Sequence, residues 1–101
     1  MENPDGEFER KVIEERKKKN DAKLRKVDKE IQRLEDVIGK METELALLDD
    51  VMSHPDEHPE VKVDNDLFWS YGKKKEELQK LMDDWGERQI EREEIMAEYG
   101  S

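Results

Sequence analysis

The chain contains no cysteine, which removes disulfides, thiolate metal sites and cysteine nucleophiles together. That absence suits a reducing compartment, so a cytoplasmic location is expected. Aromatic residues are scarce at 6%, and hydrophobic residues of all kinds reach only 33%, too little to fill a broad core. No apolar run approaches the roughly 20 residues that span a bilayer, and the amino-terminal "MENPDGEFER" is polar and acidic, so neither membrane insertion nor secretion is expected. There is no glycine-rich phosphate loop, no nucleophile elbow and no pair of carboxylates set in an apolar stretch. The chain is therefore not expected to be an enzyme on its own, nor to carry a cofactor.

What is abundant is charge. Charged residues make up 48% of the chain, the formal net charge is -10 and the mean hydropathy is -1.21. Such a composition would read as disorder if its apolar residues were scattered. Instead Leu24, Val27, Ile31, Leu34, Ile38, Met41, Leu45, Leu48 and Met52 follow one another at alternating steps of three and four. A 3.5-residue period sustained in this way specifies a helix packed along one line against another helix. With Leu24 at position a, Asp28, Glu35, Glu42 and Asp49 fall at e, and Glu30 and Glu44 at g, flanking the seam.

The expected fold is all-α, a two-helix antiparallel coiled-coil hairpin. Residues 1–6 read as a disordered linker, with a first helix over about 7–53, a loop over about 54–65 and a second helix over about 66–99. Pro55 ends the first helix, because proline has no amide donor and forces its predecessor out of the helical region. The loop "SHPDEHPEVKVDND" then offers Asp64, Asn65 or Asp66 as a cap for the second helix. That helix carries Leu67, Tyr71, Leu78, Leu81, Trp85, Ile95 and Tyr99 on its stripe, supported by Phe68 and Met82. Lys74, Arg88 and Arg92 interrupt it, so their stems must line the seam while their heads reach outward. Folding back sets Trp85 near Ile31 and Leu34, and Arg88 and Arg92 near Asp28, Glu30 and Glu35. The expected core is Leu24, Val27, Ile31, Leu34, Ile38, Met41, Leu45, Leu48, Leu78, Leu81 and Trp85. A single seam about 50 Å long, at 1.5 Å per residue, gives little burial and modest stability. Gly39, Gly72 and Gly86 weaken it further.

Between Arg10 and Arg33 eleven Lys or Arg stand against five Asp or Glu, a local charge of +6 in an acidic protein. In the heptad register Lys18 and Arg25 lie at b, Lys19, Lys26 and Arg33 at c, and Lys29 at f. All face away from the seam. Charge runs on helices are commonly solvated faces, and Glu14, Glu15, Asp21 and Glu30 stand where they could neutralise part of this one. The alternative is that the stripe follows a nucleic-acid backbone, since cations spaced along a helix meet phosphates spaced along a strand. The sorting by heptad position favours nucleic acid as the partner. No aromatic interleaves with the stripe, so base stacking is not indicated. The loop, with five acids and one lysine from Ser53 to Asp66, should avoid phosphates. His54 and His58, with Asp56 and Glu57, read as exposed turn residues and not as a metal site, for want of a third strong ligand. Trp69 falls at an outward position, either as a docking contact or because the register slips by one residue near the loop.

The order "KLRKVDKEIQRLEDVIGKMETELALLDDVM", a proline-containing turn and then "YGKKKEELQKLMDDWGERQIE" resembles the carboxy-terminal coiled-coil domain of ABC-F ATPases, the Uup-like group in particular. Lys29, Ile31, Leu34 and Glu35 match that family's K-x-I-x-x-L-E rhythm, "SHPDEHPE" its turn, and Trp85 its closing tryptophan motif. Gly86 stands where the family tends to have glutamate, and the loop is longer. The resemblance covers about Phe8 to Glu94. It implies a cytoplasmic appendage that contacts ribosomal RNA, tRNA or branched DNA, with the ATPase domains of a parent chain as partners. The family's other hairpin, the linker between its ATPase domains, is basic towards its tip, whereas this tip is acidic. A competing expectation is a chaperone- or scaffold-like interaction or spacer hairpin that docks through Phe68 or Trp69. Either would be a monomer or a weakly self-associating helix pair.

Overall fold

The structure is a computed structural model that describes the backbone of residues 4–99 and the side chains of residues 8–98. Two helices account for nearly all of it: α1, Pro4–Ser53, and α2, Asn65–Tyr99, joined through a single 3-10 turn at Pro55–Glu57. No strand occurs among the described residues, and the chain is an all-α helical hairpin. No described helix is long and apolar enough to cross a membrane. One boundary departs from expectation. Residues 4–6, read as part of a disordered linker, are helical, because a proline in the first turn gives up no helical hydrogen bond and arrives with its φ already set. Residues 1–3 lie outside the described residues.

Hydrogen bonds explain the stop and the restart. The His54 amide still donates to the Asp50 carbonyl at 2.8 Å, and the 3-10 turn follows through Glu57 N–H to His54 O at 3.1 Å and His58 N–H to Pro55 O at 3.2 Å. Of the three possible caps, Asp64 does the capping: its Oδ1 accepts from the Leu67 amide at 3.1 Å, satisfying one of the donors that a helix start leaves open.

The chain divides into two compact units. The first comprises residues 1–31 and 87–101. Its core is small: Val27, Ile31 and Ile95 are buried, with Leu24 packed against them. On its flank the Arg92 guanidinium donates to Asp28 at 2.8 Å. With Asp28 opposite Arg92, the end of α2 at Tyr99 comes level with about residue 21 of α1. Residues 4–20 of α1 therefore continue without α2 beside them, and Phe8 and Ile13 are 70% and 54% exposed.

The second unit, residues 32–86, holds the turn. Leu34 is fully enclosed, Leu45 and Val51 are buried, and Ile38, Met41, Leu48, Leu78 and Leu81 are half-buried. Acids beside the seam bond across it: Glu35 accepts from the Trp85 indole N–H at 3.2 Å, Glu44 from Lys74 at 3.0 Å and Asp49 from the Tyr71 hydroxyl at 2.6 Å. Trp85, expected in the core, is 37% exposed, because its N–H reaches for a carboxylate at the edge of the seam. Phe68 and Met82, expected to support the stripe, are exposed. Each directly follows a seam leucine, and neighbours one residue apart on a helix do not face the same way. The core gains Val51, at position g. It lies next to the loop, where Val61 and Val63 are also half-buried, and a chain wrapping over a helix end covers positions that a straight partner leaves open.

Gly39, Gly72 and Gly86 are helical, none has positive φ, and a Cβ at any of them would meet nothing within 4 Å. Gly72→Ala is accordingly expected to stabilise the chain by about 1 kcal/mol, the propensity difference alone. A urea unfolding curve followed by circular dichroism reads it, and a lowered midpoint would show that the backbone needs glycine there.

Candidate nucleic-acid interface

The outward heptad positions deliver their side chains to solvent. Lys18, Lys19, Arg25, Lys26 and Lys29 are all exposed in the first unit, and Arg33 is exposed in the second. Arg25 turns back to its own helix, its Nε donating to the Asp21 carbonyl at 3.4 Å, and Arg33 has an interaction of its own. Lys18, Lys19, Lys26 and Lys29 make no ion pair or hydrogen bond with another described residue. Glu14 and Glu15, one helical turn before Lys18 and Lys19, are not within ion-pairing distance of them.

Cations elsewhere behave differently. On α2, Lys73 approaches Glu76 at 3.6 Å and lies over the Trp69 ring at 5.6 Å, Lys74 meets Glu44, Lys75 sits 4.7 Å from the Tyr71 ring centre, Arg88 pairs with Glu91 at 3.2 Å and Arg92 pairs with Asp28. Lys80 on α2 and Lys40 on α1 are exceptions. Lys74 and Arg92 reach acids of α1 across the seam, whereas Lys73 and Arg88 pair within α2.

The same unit contains a feature that the outward stripe did not include. An open cleft of about 480 Å³ lies along α1 at the end of α2, lined by Ile13, Arg16, Lys17, Lys19, Asn20 and Lys23 of α1 and by Glu98 of α2. Its volume is in the range of ordinary ligand sites. Arg16, Lys17 and Lys23 were not among the expected binding residues. The signal was present in the heptads, because continuing the register upstream of Leu24 puts Lys17 at a and Asn20 at d. A seam whose a and d positions turn polar has lost its partner helix, and side chains that would have faced it become a surface. Four cations then crowd into two helical turns, where each repels the others until an anion intervenes.

The turn departs further from expectation. His54 and His58 were expected as simple exposed turn residues, yet both bond to Asp50: His58 Nε2 lies 2.7 Å from Oδ2 and His54 Nδ1 lies 3.3 Å from Oδ1. His58 is only 21% exposed. The His58 hydrogen bond holds the Asp50 carboxyl below its ordinary value; desolvation opposes it, and smaller contributions from His54 add to the lowering. Asp50 escaped the sequence reading because at f it resembles any solvated acid, although its spacing of four from His54 places both on one helix face. Trp69 is 66% exposed and points outward. No family model matches the chain, and neither a curated protein nor a solved structure is significantly similar to it.

Proposed function

We propose that this chain is a non-catalytic module that holds nucleic acid by its phosphates, through Lys18, Lys19, Arg25, Lys26, Lys29 and Arg33 together with the cleft cations Arg16, Lys17 and Lys23. The observation that carries this reading is the sorting of cations. On α2 every lysine and arginine but Lys80 pairs with an acid or lies over an aromatic ring; on the outer face of α1, Lys18, Lys19, Lys26 and Lys29 have no partner among the described residues and are open to an external anion. The absence of aromatic side chains among them fits recognition of a charged backbone and not of base sequence. The resemblance to the carboxy-terminal domain of ABC-F ATPases supports the same function and suggests a parent chain whose ATPase domains act while this hairpin positions RNA or DNA in the cytoplasm.

Fluorescence anisotropy of labelled tRNA and of linear and branched DNA across a salt series tests it. Affinity is expected to fall steeply with salt, and Lys26→Ala should reduce the slope of log K against log salt by about one unit for every sequence alike. A slope unchanged by Lys26→Ala, or no binding at low salt by a helical chain, would reject the proposal. A second reading, a protein-docking hairpin, draws on Phe68 and Trp69, adjacent and 54% and 66% exposed at the start of α2. It would take first place if nucleic acid did not bind.

A further inference from the structure

We propose that Asp50, His54 and Glu57 form a binding site for a divalent transition metal of the zinc class, with His58 as the residue that positions the Asp50 carboxylate. The donors follow closely along the chain in the second unit: Asp50 from the last turn of α1, His54 just past its end, and Glu57 from the 3-10 turn that follows. One ligand atom of each lies within 4.8 Å of the others. Zinc with nitrogen and oxygen ligands at about 2.0–2.1 Å in tetrahedral array has neighbouring donors about 3.3 Å apart. Asp50 Oδ1 and His54 Nδ1 are already 3.3 Å apart.

The two histidines treat Asp50 differently. At 2.7 Å, the His58 contact has the length of a strong charge-assisted hydrogen bond. The His54 contact is longer than such a bond prefers and suits two ligands of one ion better. His58 thereby holds Oδ2 and leaves Oδ1 directed towards His54, the arrangement by which hydrogen-bonded neighbours orient a ligating carboxylate. Its other nitrogen, Nδ1, lies 3.8 Å from Glu60. Glu57 has no ion pair among the described residues, so it can swing in without breaking one. The surrounding segment from Ser53 to Asp66, with five acids and one lysine, favours cations generally. The imidazole sets the class: calcium and magnesium take shells of oxygen, whereas zinc, nickel and copper accept imidazole with carboxylate. Three protein ligands would leave the fourth position to water, as in open zinc sites and unlike closed structural ones.

Isothermal titration of the full chain with zinc chloride at neutral pH, beside magnesium chloride, tests the assignment. One zinc ion per chain is expected, with no saturable magnesium binding. His54→Ala and Asp50→Asn should each weaken zinc binding at least tenfold, while Asp56→Asn, which removes a nearby acid outside the cluster, should change it less than threefold. All three are exposed positions, and the circular dichroism at 222 nm confirms that each variant is helical. The absence of saturable zinc binding would overturn the proposal, as would binding that survives His54→Ala or weakens equally in Asp56→Asn, which would mark diffuse attraction to acids.

Discussion

Reversing Lys18, Lys19, Lys26 and Lys29 to glutamate is expected to lower affinity for tRNA or duplex DNA about a thousandfold or more at roughly 0.1 M salt, where each phosphate contact contributes close to a decade through counterion release. The four are chosen because none has an acid partner, so their removal takes away no intramolecular pair. The change also makes an acidic protein more acidic, and a general repulsion could weaken binding by itself. A second variant separates the two effects: Lys40, Lys62, Lys73 and Lys80 are also exposed, and reversing them gives the same net charge. Anisotropy should show the first variant losing binding with a much shallower salt slope. The second should keep its slope. Equal losses in both would mean that total charge and not the face of α1 governs the interaction.

Leu34→Ala is expected to cost about 2–5 kcal/mol, the range for emptying a buried leucine site. Leu34 is the one large side chain in the described structure that is completely enclosed, and among the described residues the buried core is Val27, Ile31, Leu34, Leu45, Val51 and Ile95. A chain with one narrow seam has a small reserve, so the variant should be measurably unfolded at room temperature without denaturant. Leu47 supplies the contrast. It is 60% exposed at position c, and Leu47→Ala should stay within about 0.5 kcal/mol of the parent. Urea titrations monitored at 222 nm measure both, and comparable losses at the two positions would show that the heptad register is misplaced.

The seam of α1 could be read residue by residue because a period of 3.5 is a geometric constraint: only one line on a helix can face a straight partner. Pro55 and the Asp64, Asn65, Asp66 cluster marked the turn for equally local reasons. What the heptads did not convey was where pairing ends and what covers a helix besides its partner. Val51 is buried beside the loop, Phe68 and Met82 lie outside a seam too narrow for them, and Trp85 moves to the margin to satisfy its N–H. Lys17 and Asn20 did mark the end of the seam, but a polar residue at a or d can also fix register inside a coiled coil, so the sequence alone does not distinguish the two. The cluster at Asp50 depended on the path of the chain past its own helix end, since His54, Glu57 and His58 all lie beyond Ser53.

The unequal lengths of the two helices have a consequence for how order and occupancy are linked. The side chains of residues 8–19 of α1 are exposed apart from half-buried Val12, so the helicity of this stretch depends on propagation from the part that α2 secures. Propagation is nearly neutral per residue, with s of about 1–1.6 near 0 °C for good helix formers, whereas starting a helix afresh is unfavourable. Arg16, Lys17, Lys18 and Lys19 oppose that extension through mutual repulsion, and a polyanion lying along them removes the opposition. The arm is thus a reservoir of backbone entropy adjoining a fixed anchor, and the number of helical turns it presents should vary with temperature, ionic strength and any polyanion supplied to it.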